Sequence, residues 1–211
     1  MSKQTGSRAS GPRGQKKALT PDQVGYLGGL LRNECEDKTS PTFGRARRDY
    51  ALFRTAICSM LRASDITRLK ISDVWAENGI VRDEVLIVQR KTGRNVIVHL
   101  QEETRFAIYN WLMAAYYSEK AIGLNSGHRL FGISIRHYTT LVKQWVKRIG
   151  LDPRGYSTHS LRRTKAKEIY RVTKNLEAVR QLLGQTSLGA TSAYLGIDQD
   201  DALEISKEIK L

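Results

Sequence analysis

Acidic residues are in short supply. Against 35 Lys and Arg the chain carries only 21 Asp and Glu, a formal net charge of +14 over 211 residues, and a surface so charged attracts polyanions. Cysteine is scarcer still. Cys35 and Cys58 are the only two, far apart and without a CxxC or Cys/His cluster, so a disulfide framework and a zinc site both lack support and reduced thiols in a cell interior are expected. No apolar run reaches transmembrane length, and the N-terminus lacks the apolar stretch of a secretion signal. A soluble protein away from any membrane follows, cytoplasmic or nucleoid-associated. There is no internal repeat, and the length suits one compact domain with no second large one.

The positive charge is uneven. Residues 1–20 hold Lys3, Arg8, Arg13, Lys16 and Lys17 with no acid, and the stretch from Arg154 to Lys174 sets seven Lys and Arg against Glu168 alone. Residues 1–18, rich in Gly, Ser, Lys and Arg with nothing periodic to bury, are expected to be a disordered basic arm. Order is expected from residue 19 to the end, with a short tail from about 198 whose Leu203, Ile205, Ile209 and Leu211 offer apolar groups to bury.

Thr20-Pro21-Asp22 predicts a helix start, with Thr20 as cap and Pro21 at the first position, where its missing N–H costs nothing; a helix of roughly ten residues should follow. Tyr50, Phe53, Ala56, Ile57, Met60 and Leu61 recur at helical spacing, and Ser64-Asp65 resembles a fresh cap, which leaves Arg62 in the break between two helices. Val85-Leu86-Ile87-Val88 and Val96-Ile97-Val98 are β-branched runs around Lys91-Thr92-Gly93-Arg94, a hairpin pattern with Lys91 at the turn. Helical periodicity returns at 105–117, 136–149, 161–170, 176–183 and 188–195. The class is mostly α with α+β character: helices, a small antiparallel sheet, then helices.

His159 and Arg162 lie three apart just inside a helix start capped by Thr158 or Ser160, on one face near an end that favours anions. Gly184 follows an apolar helix and can take the left-handed turn that ends it, presenting Gln185. Tyr194 follows nine residues later, in a short helix or turn; by itself it reads as a partly buried core tyrosine ahead of a reactive one. Taken singly, each of these patterns is weak.

Together, and in this order, they resemble the tyrosine recombinases, the phage-integrase family, whose catalytic domain carries Arg, Lys, His-x-x-Arg, a Leu-Gly-His segment and a nucleophilic Tyr. The resemblance covers about residues 19–200 and implies a catalytic set of Arg62, Lys91, His159, Arg162, Gln185 and Tyr194. It departs in two places. Met60 stands where many members carry glycine, a change a slightly different helix break could absorb, and Gln185, which cannot become cationic, stands where most have His. The N-terminal helical bundle usual in the family is not seen, a layout similar to the short fimbrial-switch recombinases.

The resemblance implies a site-specific recombinase that cuts and rejoins DNA through a 3′-phosphotyrosine, with integration, excision or inversion as outcome. No metal and no cofactor are expected, because the bond energy is kept in the phosphotyrosine. Double-stranded DNA is the expected partner, bound by a homo-tetramer, with DNA-bending accessory proteins possible; Arg94, Arg136, Lys143 and Arg163 are candidate DNA contacts. Alternatives are a catalytically silent recombinase-derived DNA-binding regulator, suggested by Gln185, a type IB topoisomerase, and an RNA-binding module, for which no RNA motif is present.

Overall fold

A computed structural model describes residues 15–37 and 39–197. The arm expected at 1–18 lies outside the described residues as far as residue 14, and the tail expected from about 198 lies outside them altogether. Ten α-helices and one hairpin are described: α1 (Pro21–Glu36), α2 (Phe43–Ser59), α3 (Ala63–Ile66), α4 (Ile71–Val74), β1 (Glu84–Val88), β2 (Asn95–His99), α5 (Glu102–Tyr116), α6 (Glu119–Leu124), α7 (Ile135–Arg148), α8 (Thr158–Thr173), α9 (Leu176–Leu183) and α10 (Leu188–Leu195). The mostly helical class with one small antiparallel sheet is as expected. None of the described helices is long and apolar enough to cross a membrane.

Thr20 caps α1 through a reciprocal capping box with Gln23, and Pro21 opens the helix. The helix runs 16 residues instead of the roughly ten expected, because Leu27, Gly28 and Leu31 continue its buried face. Residues 15–18 correct the arm boundary. They cross the body as an ordered strap: Lys17 N–H donates to the Gly155 carbonyl at 2.9 Å, and Lys16 Nζ to that of Arg154 at 2.7 Å. Main-chain contacts of this kind leave no trace in a Gly/Ser/Lys-rich composition.

The hairpin pairs in register, Leu86 opposite Ile97 and Val88 opposite Asn95. Val85 and Ile87 point into the core while Leu86 and Ile97 stay exposed, the period-two alternation of a half-buried sheet. The main core joins α1, α2, α5, α7 and the inner hairpin face around Phe53, Ile108, Leu112, Val142 and Trp145. A second, smaller cluster holds the C-terminal helices: Met60, Ala166, Val179, Leu183 and Leu195, with Tyr194 at its edge.

Met60 shows how the missing glycine is absorbed. Methionine itself takes the left-handed conformation at φ 52°, ψ 24°. That conformation costs an L-residue about 1–2 kcal/mol, and burial of the Met60 side chain in the second cluster, where it is 5% exposed, offsets it. The turn delivers Arg62 to the N-cap position of α3, so the helix start lies at Ala63, ahead of the Ser64-Asp65 cap expected. Asp65 is instead buried, its Oδ1 accepting from the Arg90 N–H at 3.0 Å. Two short helices, α4 and α6, carry too little periodicity to show in the sequence.

Candidate active site

Each expected residue is presented by a local device. Ser157, not Thr158 or Ser160, is the N-cap of α8, and Ser160 completes its capping box; Ser160 is wholly buried in that role. His159 and Arg162 follow on the first turns. Gly184 ends α9 at φ 60°, and a Cβ there would come within 2.6 Å of Gln89 Nε2 and 2.7 Å of Val96 Cγ2, so both the dihedral and the space require glycine. Gln185 follows, its N–H on the Arg180 carbonyl at 3.0 Å and its own carbonyl held by Arg180 and Arg94 at 2.8 and 3.1 Å. Tyr194 sits in the last turn of α10, which Ser187 caps.

These devices converge. The Tyr194 hydroxyl donates to the His159 carbonyl at 3.4 Å, and the Arg162 guanidinium lies 5.7 Å from the centre of the Tyr194 ring. Arg162, 2% exposed, donates to the Leu183 carbonyl at 2.8 Å, which ties α8 to the end of α9. Arg62, half-buried, donates to Gln89 Oε1. Lys91 is exposed in the hairpin turn. The side-chain oxygen of Gln185 is buried without a partner among the described residues.

The electrostatics follow from crowding of like charge. Burial brings the Arg162 pKa down to about 10, opposed mainly by Tyr194. His159 is lowered below its usual 6.5 by lost hydration and then by Arg162, Arg163, Arg62 and Lys91, so it is neutral at pH 7. Tyr194 is raised by burial, with Arg162, Arg163 and Arg62 pulling the other way. Among the described residues no carboxylate pairs with Arg62, Arg162 or Arg163. Three guanidinium groups beside a phenol, none of them in an ion pair among the described residues and with buried Asp65 acting on Arg162 only from a distance, suit the oxygens of a phosphate diester.

Gln89 escaped sequence reasoning. It is 1% exposed and links three parts of the site: Oε1 accepts from Arg62 and from Thr92 of the Lys91 turn at 2.9 Å, while Nε2 donates to the Leu183 carbonyl at 3.0 Å. A signal was available, since Gln89 continues the inward alternation of Val85 and Ile87, and a polar residue in phase with a buried face needs partners.

Of the candidate DNA contacts, Arg136 and Lys143 are exposed on α7 and Arg94 beside the hairpin. Arg163, the fourth candidate, is placed differently from these three. It is 7% exposed, turned inward onto the Tyr194 ring and bonded to the Lys16 carbonyl.

Comparison with known proteins agrees with the geometry. The tyrosine recombinase XerC of Neisseria meningitidis serogroup C (strain FAM18) is 29% identical over 163 residues, covering 77% of this chain and 52% of its own length. The probable integrase/recombinase YoeC of Bacillus subtilis (strain 168) is 29% identical over 154 residues, covering 73% of this chain and 80% of its own. The chain thus spans about half the length of the XerC relatives it matches. Among solved structures, the XerH site-specific recombinase bound to palindromic difH substrate in a post-cleavage complex superposes with a TM-score of 0.68 at 20% identity, over 92% of this chain and 53% of that one. The XerA recombinase does so at 0.64 and 19%, over 96% and 66%; these show a common fold. The phage integrase family profile matches residues 19–200, and the chain belongs to that family.

Proposed function

We propose that the protein is a site-specific DNA recombinase that cuts and rejoins duplex DNA through a phosphotyrosine at Tyr194. The observation that carries this reading is the cluster of Arg62, Arg162 and His159 around a half-buried phenol, with no carboxylate in an ion pair to either arginine among the described residues. A structural ion network would have paired carboxylates with these guanidinium groups.

Phosphoryl transfer needs an in-line nucleophile, neutralisation of the non-bridging oxygens and a proton for the leaving oxygen. In this reading the Tyr194 oxygen forms the new P–O bond, the bond to the 5′ oxygen breaks, and Lys91 supplies that oxygen with a proton. Neutral His159 takes the phenolic proton. Arg62 and Arg162, always charged and planar, hold the two non-bridging oxygens, and Gln185 donates one further hydrogen bond. Attack of a 5′ hydroxyl on the phosphotyrosine reverses each transfer and rejoins the strand, with no net change in bond type.

Exchange between two duplexes requires several active sites on one assembly, and a homo-tetramer on DNA is the proposed working form, with DNA-bending proteins as possible accessories. Several of the solved neighbours are described as recombinases or integrases in complex with DNA. The exposed basic groups Arg94, Arg136 and Lys143 are proposed phosphate contacts. Nothing in the site favours the silent regulator: Gln185 keeps its place beside Arg180, and the cation cluster is entire.

The test uses duplexes enriched by binding from a randomised pool and then nicked beside the binding site, so that the short cleaved strand diffuses away. A covalent protein–DNA adduct, followed by joined products when a new 5′ hydroxyl is supplied, is the expected result. Adduct without joining to a second duplex would indicate a topoisomerase, and binding without adduct the silent regulator.

A further inference from the structure

We propose that Arg163 is a positioning residue for the nucleophile, a built-in counter-charge pressed on the Tyr194 ring and held there by the N-terminal strap Gln15–Leu19. The proposal rests on the assignment of Tyr194 as nucleophile and assigns to the strap a role in cleavage.

Consecutive residues on a helix diverge by about 100°, yet the guanidinium groups of Arg162 and Arg163 both reach the Tyr194 ring. The Arg163 guanidinium is the nearer, 4.8 Å from the ring centre against 5.7 Å for Arg162. It is 7% exposed, and its Nε is buried with no partner among the described residues. Its one hydrogen bond among the described residues is to the Lys16 carbonyl. A guanidinium removed from water with a single neutral acceptor and no carboxylate is costly. An aromatic face repays part of that through cation–π attraction, and a phenolate or a phosphotyrosine repays more. The group therefore suits the charged states of Tyr194 better than its resting state, as a group that assists a reaction should.

The strap fixes the arrangement from outside. Lys16 supplies the carbonyl that orients Arg163, and Gln15 Nε2 donates to the carbonyls of Ala193 and Tyr194 at 2.8 and 3.0 Å, capping the end of α10. Lys17 and Leu19 anchor it on either side, Lys17 on Gly155 and Leu19 through its N–H on Thr164 Oγ1 at 3.1 Å. Of the charged groups that face Tyr194, Arg162, Arg163 and the neutral His159 come from α8 and Arg62 from the cap of α3; the strap adds the uncharged Gln15 amide. Removing Arg163 thus leaves Arg62 and Arg162 for the phosphate and takes away the cation nearest the tyrosine ring.

Two readouts test this in the full-length protein. In single-turnover adduct formation on the nicked duplex, Arg163→Gln should be slower by about thirtyfold, the size of a desolvated cation–π contact, with unchanged DNA affinity; Arg163→Lys should recover part of the loss, and Gln15→Ala should slow the step without weakening binding. In the DNA-free protein carrying ¹³Cζ-tyrosine, the Tyr194 resonance, identified by its absence in Tyr194→Phe, should titrate at higher pH in Arg163→Gln than in the parent. Parental rate and parental titration in Arg163→Gln would overturn the proposal. So would a loss confined to DNA affinity, which would put Arg163 on the DNA instead. Should the parent form no adduct, the recombinase reading fails, while the tyrosine titration still decides whether Arg163 acts on Tyr194.

Discussion

Gln89→Glu exchanges one NH₂ for one oxygen, and the site makes that exchange expensive. The amide nitrogen of Gln89 donates to the Leu183 carbonyl at 3.0 Å, so the variant sets two acceptors against each other in a position that is 1% exposed. Losing one hydrogen bond and leaving an acceptor unsatisfied costs about 2–4 kcal/mol, a fall in Tm of roughly 4–16 °C for a domain of this size. The other oxygen faces Arg62, and a carboxylate there would claim the guanidinium meant for a phosphate oxygen. An oxyanion donor is worth about 10²–10³ in rate, so adduct formation should fall by about that factor. Gln89→Met separates charge from packing: it removes the same anchor but leaves Arg62 unneutralised, and the Leu183 carbonyl keeps its bond from Arg162. Single-turnover cleavage at a temperature where both variants are folded should give the order Gln, Met, Glu. A glutamate variant as fast as the methionine one would refute the idea that Gln89 keeps Arg62 free for substrate.

Met60→Gly should relieve about 1–2 kcal/mol of left-handed strain but lose about 2–5 kcal/mol of buried side chain, so denaturant unfolding is expected to show net destabilisation; a more stable variant would mean the second cluster is loosely packed. Gly184→Ala meets Gln89 and Val96 within 2.7 Å at φ 60°, and both a lower Tm and slower cleavage are expected, since Gln185 moves with the turn. His159 should titrate below 6.5 by NMR in the DNA-free protein. Because its folded pKa lies under the unfolded one, the unfolded chain binds more protons as pH falls below the unfolded value, and His159 contributes stability that is complete above that pH and lost toward the folded pKa. His159→Gln should flatten that acid limb, and an unchanged limb would show that His159 is not the group responsible.

Strong local patterns were legible: the Thr20-Pro21 start, the hairpin around Lys91, the helices carrying His159 and Tyr194, and the Gly184 stop all follow from propensity and capping chemistry. Helix boundaries were less so, because burial against α2 and not local propensity decides where α1 ends. The conformation of Met60 could not be read, since methionine disfavours φ above zero and only the packing of α8–α10 around it makes the turn tolerable. In the sequence Arg163 is one of seven cations in the stretch from Arg154 to Lys174 and a candidate DNA contact. Its inward position depends on a main-chain carbonyl 147 residues away, and a backbone acceptor has no sequence signature.

The central claim is that one phenol, Tyr194, carries the DNA. Tyr194→Phe removes only the hydroxyl and keeps the ring against Arg162 and Arg163, so the measurement is adduct formation on the nicked duplex, with the modified peptide sequenced by mass spectrometry. A nucleotide on the peptide containing Tyr194 in the parent, and no adduct but undiminished DNA binding in Tyr194→Phe, is the predicted result. An adduct that persists in the variant, or that maps to another of the nine tyrosines, would contradict it.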